Sequence, residues 1–567
     1  MIRKILPDWL LNYDKSDLRG DLSAGLIVAI MLIPQGMAYA MLAGLPPVIG
    51  LYASTIPLII YALMGSSRQL AVGPVAMVSL LVLTGVSMLA EPGTDEYIAL
   101  ALLLALMVGV FQLAMGLLKL GFLVNFLSHA VITAFTSAAA IIIGLSQLKQ
   151  LLGIKLENTE NVFLLLGEAF TKIGQTNLFT FGIGIASILL LVLVKKKWPK
   201  LPGPLFVVLL GSLAVYFFDL EEKGVSIVGE VPKGIPNISL PAFELDALIG
   251  LLPIALTITF VGFMESVAVA KAIAAKENYK IDANKELRGL GMANIAGSFF
   301  SAYPVTGGFS RSAVNYQSGA RTGLASIITA VLILVTLLFF TDLFYYLPNS
   351  ALAAIIMVAV YGLIDFKEAA HLFKVKKADG FTFVITFIAT LTTTIEKGII
   401  IGVVFSLLVF IWRSAYPHVA QLGYIEREDV FRNIKRYPEA RTLEDTIIFR
   451  IDASLYFANM TFFEDKLRNE VAENPDTKRI ILDFSGVNAM DAVAIDALEK
   501  VMKEYEDSGI KVMIAGMKGP VMDLIRKAGW EEKYGEAIRF LSINQALDSL
   551  KEGMPWQKQS LEPIMKG

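Results

Sequence analysis

Apolar residues run through the first three-quarters of this chain in stretches long enough to cross a bilayer, and they give way to a charged, mixed sequence near Trp412. A spanning helix needs roughly 20 apolar residues, fewer where it is built from half-helices. By that measure about fourteen segments are predicted. They begin near Leu22, Val48, Pro74, Tyr97, Phe122, Leu178, Gly203, Ile249, Asn284, Gly308, Gly323, Asn349, Phe381 and Gly398. The polar positions between them are unevenly charged. The N-terminus carries Arg3, Lys4, Lys15 and Arg19, and the even-numbered loops carry Arg68, Lys119, Lys195 to Lys197, Lys200, a cluster from Lys271 to Arg288, Arg321, and Lys367 to Lys377. The odd-numbered loops hold fewer cations, such as Lys172, Lys223, Lys233 and Lys397, and include the acidic stretch Glu91 to Glu96. Cations gather on the cytoplasmic side of membrane proteins, so both termini are expected in the cytoplasm.

Two segments break the apolar pattern. One is Ser66-Ser-Arg-Gln-Leu-Ala-Val-Gly-Pro-Val-Ala76; the other is Pro304-Val-Thr-Gly-Gly-Phe-Ser-Arg-Ser312. Each sets Gly, Pro and hydroxyl residues just before a short helical run. Irregular backbone at membrane depth survives only where protein buries it or it lines a wet cavity. These are the third and tenth segments. The fifth and twelfth also resemble one another, across 122–135 and 343–356. Both pairs are offset by seven, an odd number, so the halves insert with opposite orientation. Chance likeness between apolar helices is the competing reading, but three signals agree on an inverted repeat with a site at its midplane.

A helix start exposes unpaired N–H groups and the positive end of the macrodipole, so two such starts facing each other favour an anion. Gly73-Pro74 and Gly307-Gly308 suit helix starts, Pro by its fixed φ and Gly by admitting close approach to the backbone. Ser310 and Ser312 add donors. Arg311 adds a guanidinium that binds oxyanions bidentately and stays charged; the competing reading has it snorkelling to the cytoplasmic interface. Glu265, the one carboxylate of the eighth segment as read from Ile249 onward, is costly at membrane depth, so a functional role is expected. Desolvation favours its protonated form and a neighbouring guanidinium its charged form, and an acid poised between the two can carry a proton alongside an anion; a fixed structural ion pair is the alternative. In Ile33-Pro-Gln-Gly-Met-Ala-Tyr39 the first segment is expected to break, and Gln35 and Tyr39 share a helix face that could cover the site. The alternative is a proline kink with Gln35 bonded to freed backbone. His129 reads as an interfacial histidine, and Thr257 and Thr259 as back-bonded to their own helix.

Beyond a charged stretch at 415–443, taken as a linker, the period changes. Thr446–Ile451, Arg479–Phe484 and Lys511–Ala515 read as buried strands, each followed by a helical pattern (460–473, 491–507, 521–527). Alternating strands and helices predict a small cytoplasmic α/β domain over 444–567. It shows no phosphate loop or catalytic constellation, so an assembly or regulatory role is expected. The expected organisation is an interfacial segment at 1–20, a membrane domain at 21–414, the linker, and that domain.

Composition sharpens the picture. The chain has 567 residues, 55% hydrophobic and 18% charged, with a mean hydropathy of +0.63, outside the range of soluble domains. A net charge of −2 argues against nucleic acid, and the absence of cysteine excludes thiol metal sites. Three scattered histidines, His129, His371 and His418, argue against an imidazole site, and no cofactor is implied. Residues 1–20 lack the core and cleavage pattern of a signal peptide.

Pro34-Gln-Gly-Met-Ala-Tyr-Ala40, Leu45-Pro-Pro-Val-Ile-Gly-Leu-Tyr52, Gly65-Ser-Ser-Arg68 with Gly73-Pro74, and Gly307-Gly-Phe-Ser-Arg-Ser-Ala-Val-Asn315 together resemble the sulfate permease family, whose vertebrate relatives are sulfate and anion exchangers. The tail resembles that family's STAS domain. The resemblance covers nearly the whole chain. It implies a seven-plus-seven inverted repeat with core and gate bundles, in a homodimer. It implies an anion site between segments three and ten, placing Gln35, Tyr39, Val75, Ser310 and Arg311 in it, with Ala76, Gly307, Gly308 and Phe309 beside them. Glu265 matches the acid of proton-coupled members. Sulfate uptake with a proton through the cell membrane is therefore the expected function. Sodium-coupled bicarbonate or dicarboxylate transport, an uncoupled anion channel or exchanger, and a membrane-anchored signalling protein are the alternatives. Around Asp483-Phe-Ser-Gly-Val-Asn-Ala-Met-Asp-Ala492 the tail resembles anti-sigma-factor antagonists, but Ala492 stands where they carry a phosphorylated Ser or Thr. That puts a phosphoswitch there in doubt, although Ser485 remains a candidate, and leaves a cytoplasmic regulator of the domain open.

Overall fold

The structure, a computed structural model, describes residues 8–11, 13–122, 128–156, 162–198, 202–239, 244–393 and 395–552. It divides into two compact units, Met1–Ser406 and Leu407–Gly567.

The first unit is helical. In chain order its membrane segments are α1 (Leu18–Leu42), α2 (Ile56–Met64, preceded by the short helix Pro47–Tyr52), β1 (Val72–Gly73), α3 (Ala76–Val86), α4 (Asp95–Leu117), α5 (His129–Ser146), α6 (Leu178–Lys197) and α7 (Gly203–Phe217). Then follow α8 (Leu245–Lys276), α9 (Ala283–Phe299), β2 (Thr306–Gly307), α10 (Phe309–Gln317), α11 (Leu324–Phe339), α12 (Asn349–Tyr361), α13 (Lys377–Thr392) and α14 (Ile395–Ala415), whose residues from Leu407 onward fall in the second unit. Each expected segment has its helix. Short helices at Leu148–Leu152, Val162–Thr171 and Phe366–Val375 were not foreseen. Part of the expected fifth segment, 123–127, lies outside the described residues. Helices α3 and α10 have only 11 and 9 residues, about half of a full span. In contrast to the expected break, α1 continues unbroken through Pro34.

The packing obeys the offset of seven. Helix α1 packs on α11 as α8 packs on α4; α3 packs on α8 as α10 packs on α1. Likewise α2 meets α11 as α9 meets α4, and α5 meets α13 as α12 meets α6. Helices α4 and α9 approach closely where Gly109 and Gly291 face each other: a Cβ on either would sit 2.8 Å from the other's carbonyl oxygen. Small residues of this kind let membrane helices touch backbone to backbone. Segments 1–4 and 8–11 thus make one bundle, and 5–7 with 12–14 a second. Before α1, Trp9 Nε1 donates to the Ala62 carbonyl at the end of α2 (3.2 Å), docking the N-terminal segment on the first bundle. Residues 1–7 and 12 lie outside the described set.

The second unit contains a five-stranded sheet ordered β4-β3-β5-β6-β7, with β3 (Val419–Ile425), β4 (Val430–Asn433), β5 (Thr446–Ile451), β6 (Arg479–Asp483) and β7 (Lys511–Ala515). Strands β5, β6 and β7 are parallel, while β3 runs antiparallel to both β4 and β5. Helices α15 (Met460–Glu473), α16 (Ala492–Asp507), α17 (Gly519–Lys527) and α18 (Ile543–Glu552) complete the α/β unit. The stretch 415–443 is therefore not a linker: most of β3 alternates buried with partly exposed residues and pairs with β5 from Val419↔Ile451 to Leu422↔Ile448. The dense charges of 426–436 mask that alternation in the sequence.

Candidate functional site

The two sequence breaks meet. Strands β1 and β2 pair antiparallel, Val72 opposite Gly307 and Gly73 opposite Thr306. The ribbon is stitched from both arms. Gly308 N donates to the Ala71 carbonyl (3.1 Å), Ala71 N to Ser312 Oγ (2.9 Å), and Asn315 Nδ2 to the Gln69 carbonyl (2.9 Å). Flanking helices pin β2. From α8, Ser266 Oγ accepts from Gly307 N (2.8 Å), and Thr306 Oγ1 donates to the Gly262 carbonyl (2.6 Å). From α9, Asn294 accepts from Val305 N (2.8 Å) and donates back to the Val305 carbonyl (3.0 Å). Two buried carboxylates fix the adjoining loops. Glu286 accepts from Ser66 N (2.6 Å), Ser67 N (3.0 Å) and Tyr61 Oη (2.6 Å). Asp21 accepts from Arg321 N (2.8 Å), Thr322 N (3.0 Å) and Thr322 Oγ1 (2.6 Å).

Out of this ribbon α3 and α10 start from extended residues, Val75 and Gly308. The first N–H groups of each helix have no carbonyl in their own turn. Arg311 lies in the first turn of α10 and is only 1% exposed, which excludes the snorkelling reading. Its Nη1 donates to the Pro74 carbonyl on the opposite arm. The guanidinium lies against both breaks: a Cβ at Gly308 would stand 2.9 Å from Nη2, and one at Gly73 3.3 Å. These glycines therefore make room for the arginine head itself, a use the sequence reading did not assign.

The buried arginine is underused. Its Nε and Nη2 are buried without a hydrogen-bond partner, as are Glu265 Oε2 and Gln35 Oε1. Glu265, Tyr39 and Tyr303 are the electrostatic neighbours of the guanidinium. A buried polar atom left unsatisfied costs about 1–3 kcal/mol, and native proteins keep few of them. Here Glu265 on α8 neighbours the two nitrogens on α10, and Gln35 lies one helical turn before their other neighbour, Tyr39, on α1. An oxyanion lying against the free edge of Arg311 would satisfy Nε and Nη2 together.

The remaining expected residues divide by exposure. Gln35, Tyr39, Val75 and Ala76 are all at most 6% exposed. Phe309 is 58% exposed and Ser310 is also exposed, so the second arm is the open one. Gln35 Oε1 is buried without a partner. Sequence reasoning missed Tyr303, whose hydroxyl lies 2.9 Å from Ser79 Oγ of α3, and the Ser266–Thr306 pair. Tyr303 directly precedes the second break, the one signal that could have flagged it. Thr257 Oγ1 bonds back to the Pro253 carbonyl (2.9 Å) as expected, whereas Thr259 Oγ1 is buried and unpartnered. His129 is exposed and lies 3.5 Å from Glu368.

The sulfate permease family model matches residues 18–386, and the STAS domain model matches residues 437–546. The chain is 44% identical over 546 residues to a probable sulfate transporter 4.2 of Arabidopsis thaliana, covering 93% of this chain and 80% of that protein. It is 43% identical to the chloroplastic sulfate transporter 4.1 of the same plant, covering 95% and 81%. Among solved structures, murine Slc26a9, described as an anion transporter in the inward-facing state, superposes with a TM-score of 0.90 at 27% identity, covering 97% of this chain and 94% of that one. The transmembrane domain of the cyanobacterial bicarbonate transporter BicA shares the fold of 70% of the chain with a TM-score of 0.60 at 24% identity.

Proposed function

The chain belongs to the sulfate permease family, and on that premise we propose that it is a secondary active transporter taking up sulfate with a proton by alternating access. The observation that carries this reading is the buried Arg311 guanidinium with two unspent nitrogens, Nε and Nη2, between two helix starts. The substrate is assigned by combining that anion cradle with relatives described as sulfate transporters.

In this reading the anion binds against Arg311 Nε and Nη2, the first N–H groups of α3 and α10, and the exposed Ser310, with Gln35 and Tyr39 covering it from α1. Glu265 is the proton carrier. An ionised Glu265 repels the sulfate charge and competes with it for the guanidinium, while a protonated one does neither. Proton and sulfate therefore favour each other's binding, and thermodynamic linkage makes that preference reciprocal. The bundle of segments 1–4 and 8–11 carries the site, because the ribbon is bonded to α8, α9 and α10 of that bundle. The second bundle is the gate. We place the protein in the cell membrane with both termini cytoplasmic, as a homodimer whose soluble unit meets a cytoplasmic regulator.

Uptake of labelled sulfate into liposomes holding only this protein, with and without an inward proton gradient, tests the reading. Gradient-driven accumulation above the external concentration is expected. Equilibration without accumulation would overturn coupling. Uptake of bicarbonate or a dicarboxylate in place of sulfate would overturn the substrate.

A further inference from the structure

The end of the second bundle that the charge pattern assigns to the cytoplasm carries a surface that the anion site does not use. Between α12 and α13 the 10-residue helix Phe366–Val375 lies against the bundle. Its Ala369 and Leu372 pack with Ala130 and Ala134 of α5 and with Phe383 of α13. The Phe366 and Phe373 rings meet those of Phe387 and Phe381 edge to face, at centroid distances of 6.0 and 5.6 Å. On the opposite face Lys367, His371 and Lys374 recur at i, i+4 and i+7, and all three are exposed. Lys376 and Lys377, also exposed, continue the run into the first turn of α13.

The end of α6 repeats the pattern. Lys195, Lys196 and Lys197 form its last turn, and Trp198 follows, 52% exposed. Upstream Leu189, Val192 and Leu193 are exposed as well, so this side of α6 meets lipid and Trp198 stands where a bilayer interface belongs. Phe366 and Val375, 59% and 69% exposed, give the short helix apolar flanks of the same kind. Among the described residues, none of these seven lysines has an ion-pair partner. In the first bundle, by contrast, Arg321 pairs with Glu277 (3.4 Å) and Arg68 lies over the Tyr279 ring (5.1 Å). Clusters of roughly four to eight cations just cytoplasmic of a spanning helix, or on an amphipathic one, recognise anionic lipid headgroups.

We propose that this rim binds the anionic phospholipid headgroups of the cytoplasmic leaflet and so anchors the second bundle in the membrane surface. Lys367 and Lys374 reach headgroups from the short helix, Lys376, Lys377 and the end of α6 extend the contact, and the apolar flanks sit at the acyl boundary. A phospholipid fits this surface better than a soluble polyanion, because the apolar side chains beside the lysines reward an acyl chain as well as a phosphate. The lipid contact stands apart from the transport reading. Its anchoring role rests on that reading, in which the first bundle moves against a second one held still.

The chain has no cysteine, so His371→Cys gives a single thiol between Lys367 and Lys374 for a bimane label. In the full-length protein reconstituted in phosphatidylcholine, brominated phosphatidylglycerol is expected to quench this label about three- to tenfold more effectively than brominated phosphatidylcholine at the same mole fraction. Raised ionic strength should shrink the preference. Replacing Lys367, Lys374, Lys376 and Lys377 together by Gln should abolish it, and replacing them by Arg should keep it. Lys276→Gln with Lys280→Gln in the first bundle should leave it unchanged. Equal quenching by the two lipids, or a preference that survives the four Gln substitutions, overturns the proposal. The labelled parent and its salt dependence decide the point even where the Gln set does not fold. A transport arm reads the anchoring. Adding phosphatidylglycerol should raise sulfate uptake about threefold, and the Gln set should flatten that rise while keeping the rate in phosphatidylcholine alone. Lipid preference with flat uptake overturns the anchoring role. Lipid preference without sulfate uptake in any lipid counts against the transport reading alone.

Discussion

The two arms of the broken ribbon share one backbone design and differ in chemistry. The register that sets Val72 opposite Gly307 and Gly73 opposite Thr306 makes Gly73 and Gly307 counterparts, and it maps Met77 of α3 onto Arg311 of α10. The first arm is apolar and buried, with Val75, Ala76 and Met77 at 5–6% exposure. The second carries Ser310, Arg311 and Ser312, and its tip at Phe309 is open. The comparison teaches that the repeat supplies a symmetric cradle of helix starts, whereas the fixed charge comes from one half only. The Arg311 head crosses to the other arm to bond the Pro74 carbonyl, so one charge serves both helix starts.

The largest expected effect comes from removing that charge. Arg311→Ala should weaken sulfate binding by about a hundredfold and abolish uptake, because a buried charge-assisted contact is worth about 3 kcal/mol. Binding by calorimetry, with a thermal melt to confirm folding, checks this; near-native affinity in a folded variant would erase the asymmetry between the arms. Next, Glu265→Gln should leave sulfate exchange within a few-fold of wild type while proton-driven accumulation falls to simple equilibration. Accumulation that still tracks the gradient would remove Glu265 from coupling. Gly308→Ala should then cost about tenfold in affinity, since its Cβ would stand 2.9 Å from Arg311 Nη2 and 3.0 Å from Cζ. Ser310→Ala, which removes one neutral donor on the open arm, should raise the KM about three- to fivefold. Smallest of all, Met77→Leu on the apolar arm should change transport by less than about twofold. A large effect there, with a small one at Ser310, would reverse the assignment of the arms.

Much of this was legible in the sequence, for physical reasons. The fourteen segments and the two breaks announce themselves because a bilayer forbids unpaired backbone, so Gly73-Pro74 and Gly307-Gly308 have few structural explanations. Arg311 and Glu265 stand out because charge in a span is costly. What escaped was tertiary. Glu286 sits between Lys285 and Arg288 in a run that reads as a cytoplasmic loop, and only the fold shows it to be fully buried among four donors. Ser266 and Tyr303 look like ordinary interior residues until β2 and Ser79 are brought against them. Pro34 was expected to break a helix that continues through it. In the soluble unit the three parallel strands were clear from their continuous apolar runs, whereas β3 and β4, joined by the charged turn at 426–429, looked like linker.

Selenate, a heavier isostere of sulfate, gives the most direct test of the central claim. Soaked or co-crystallised with the protein, its selenium can be placed by anomalous scattering. The account predicts one dominant peak between the starts of α3 and α10, with the oxyanion within about 3 Å of Arg311 Nε and Nη2. A selenate bound elsewhere, with the Arg311 edge still empty in protein that transports sulfate, would contradict it.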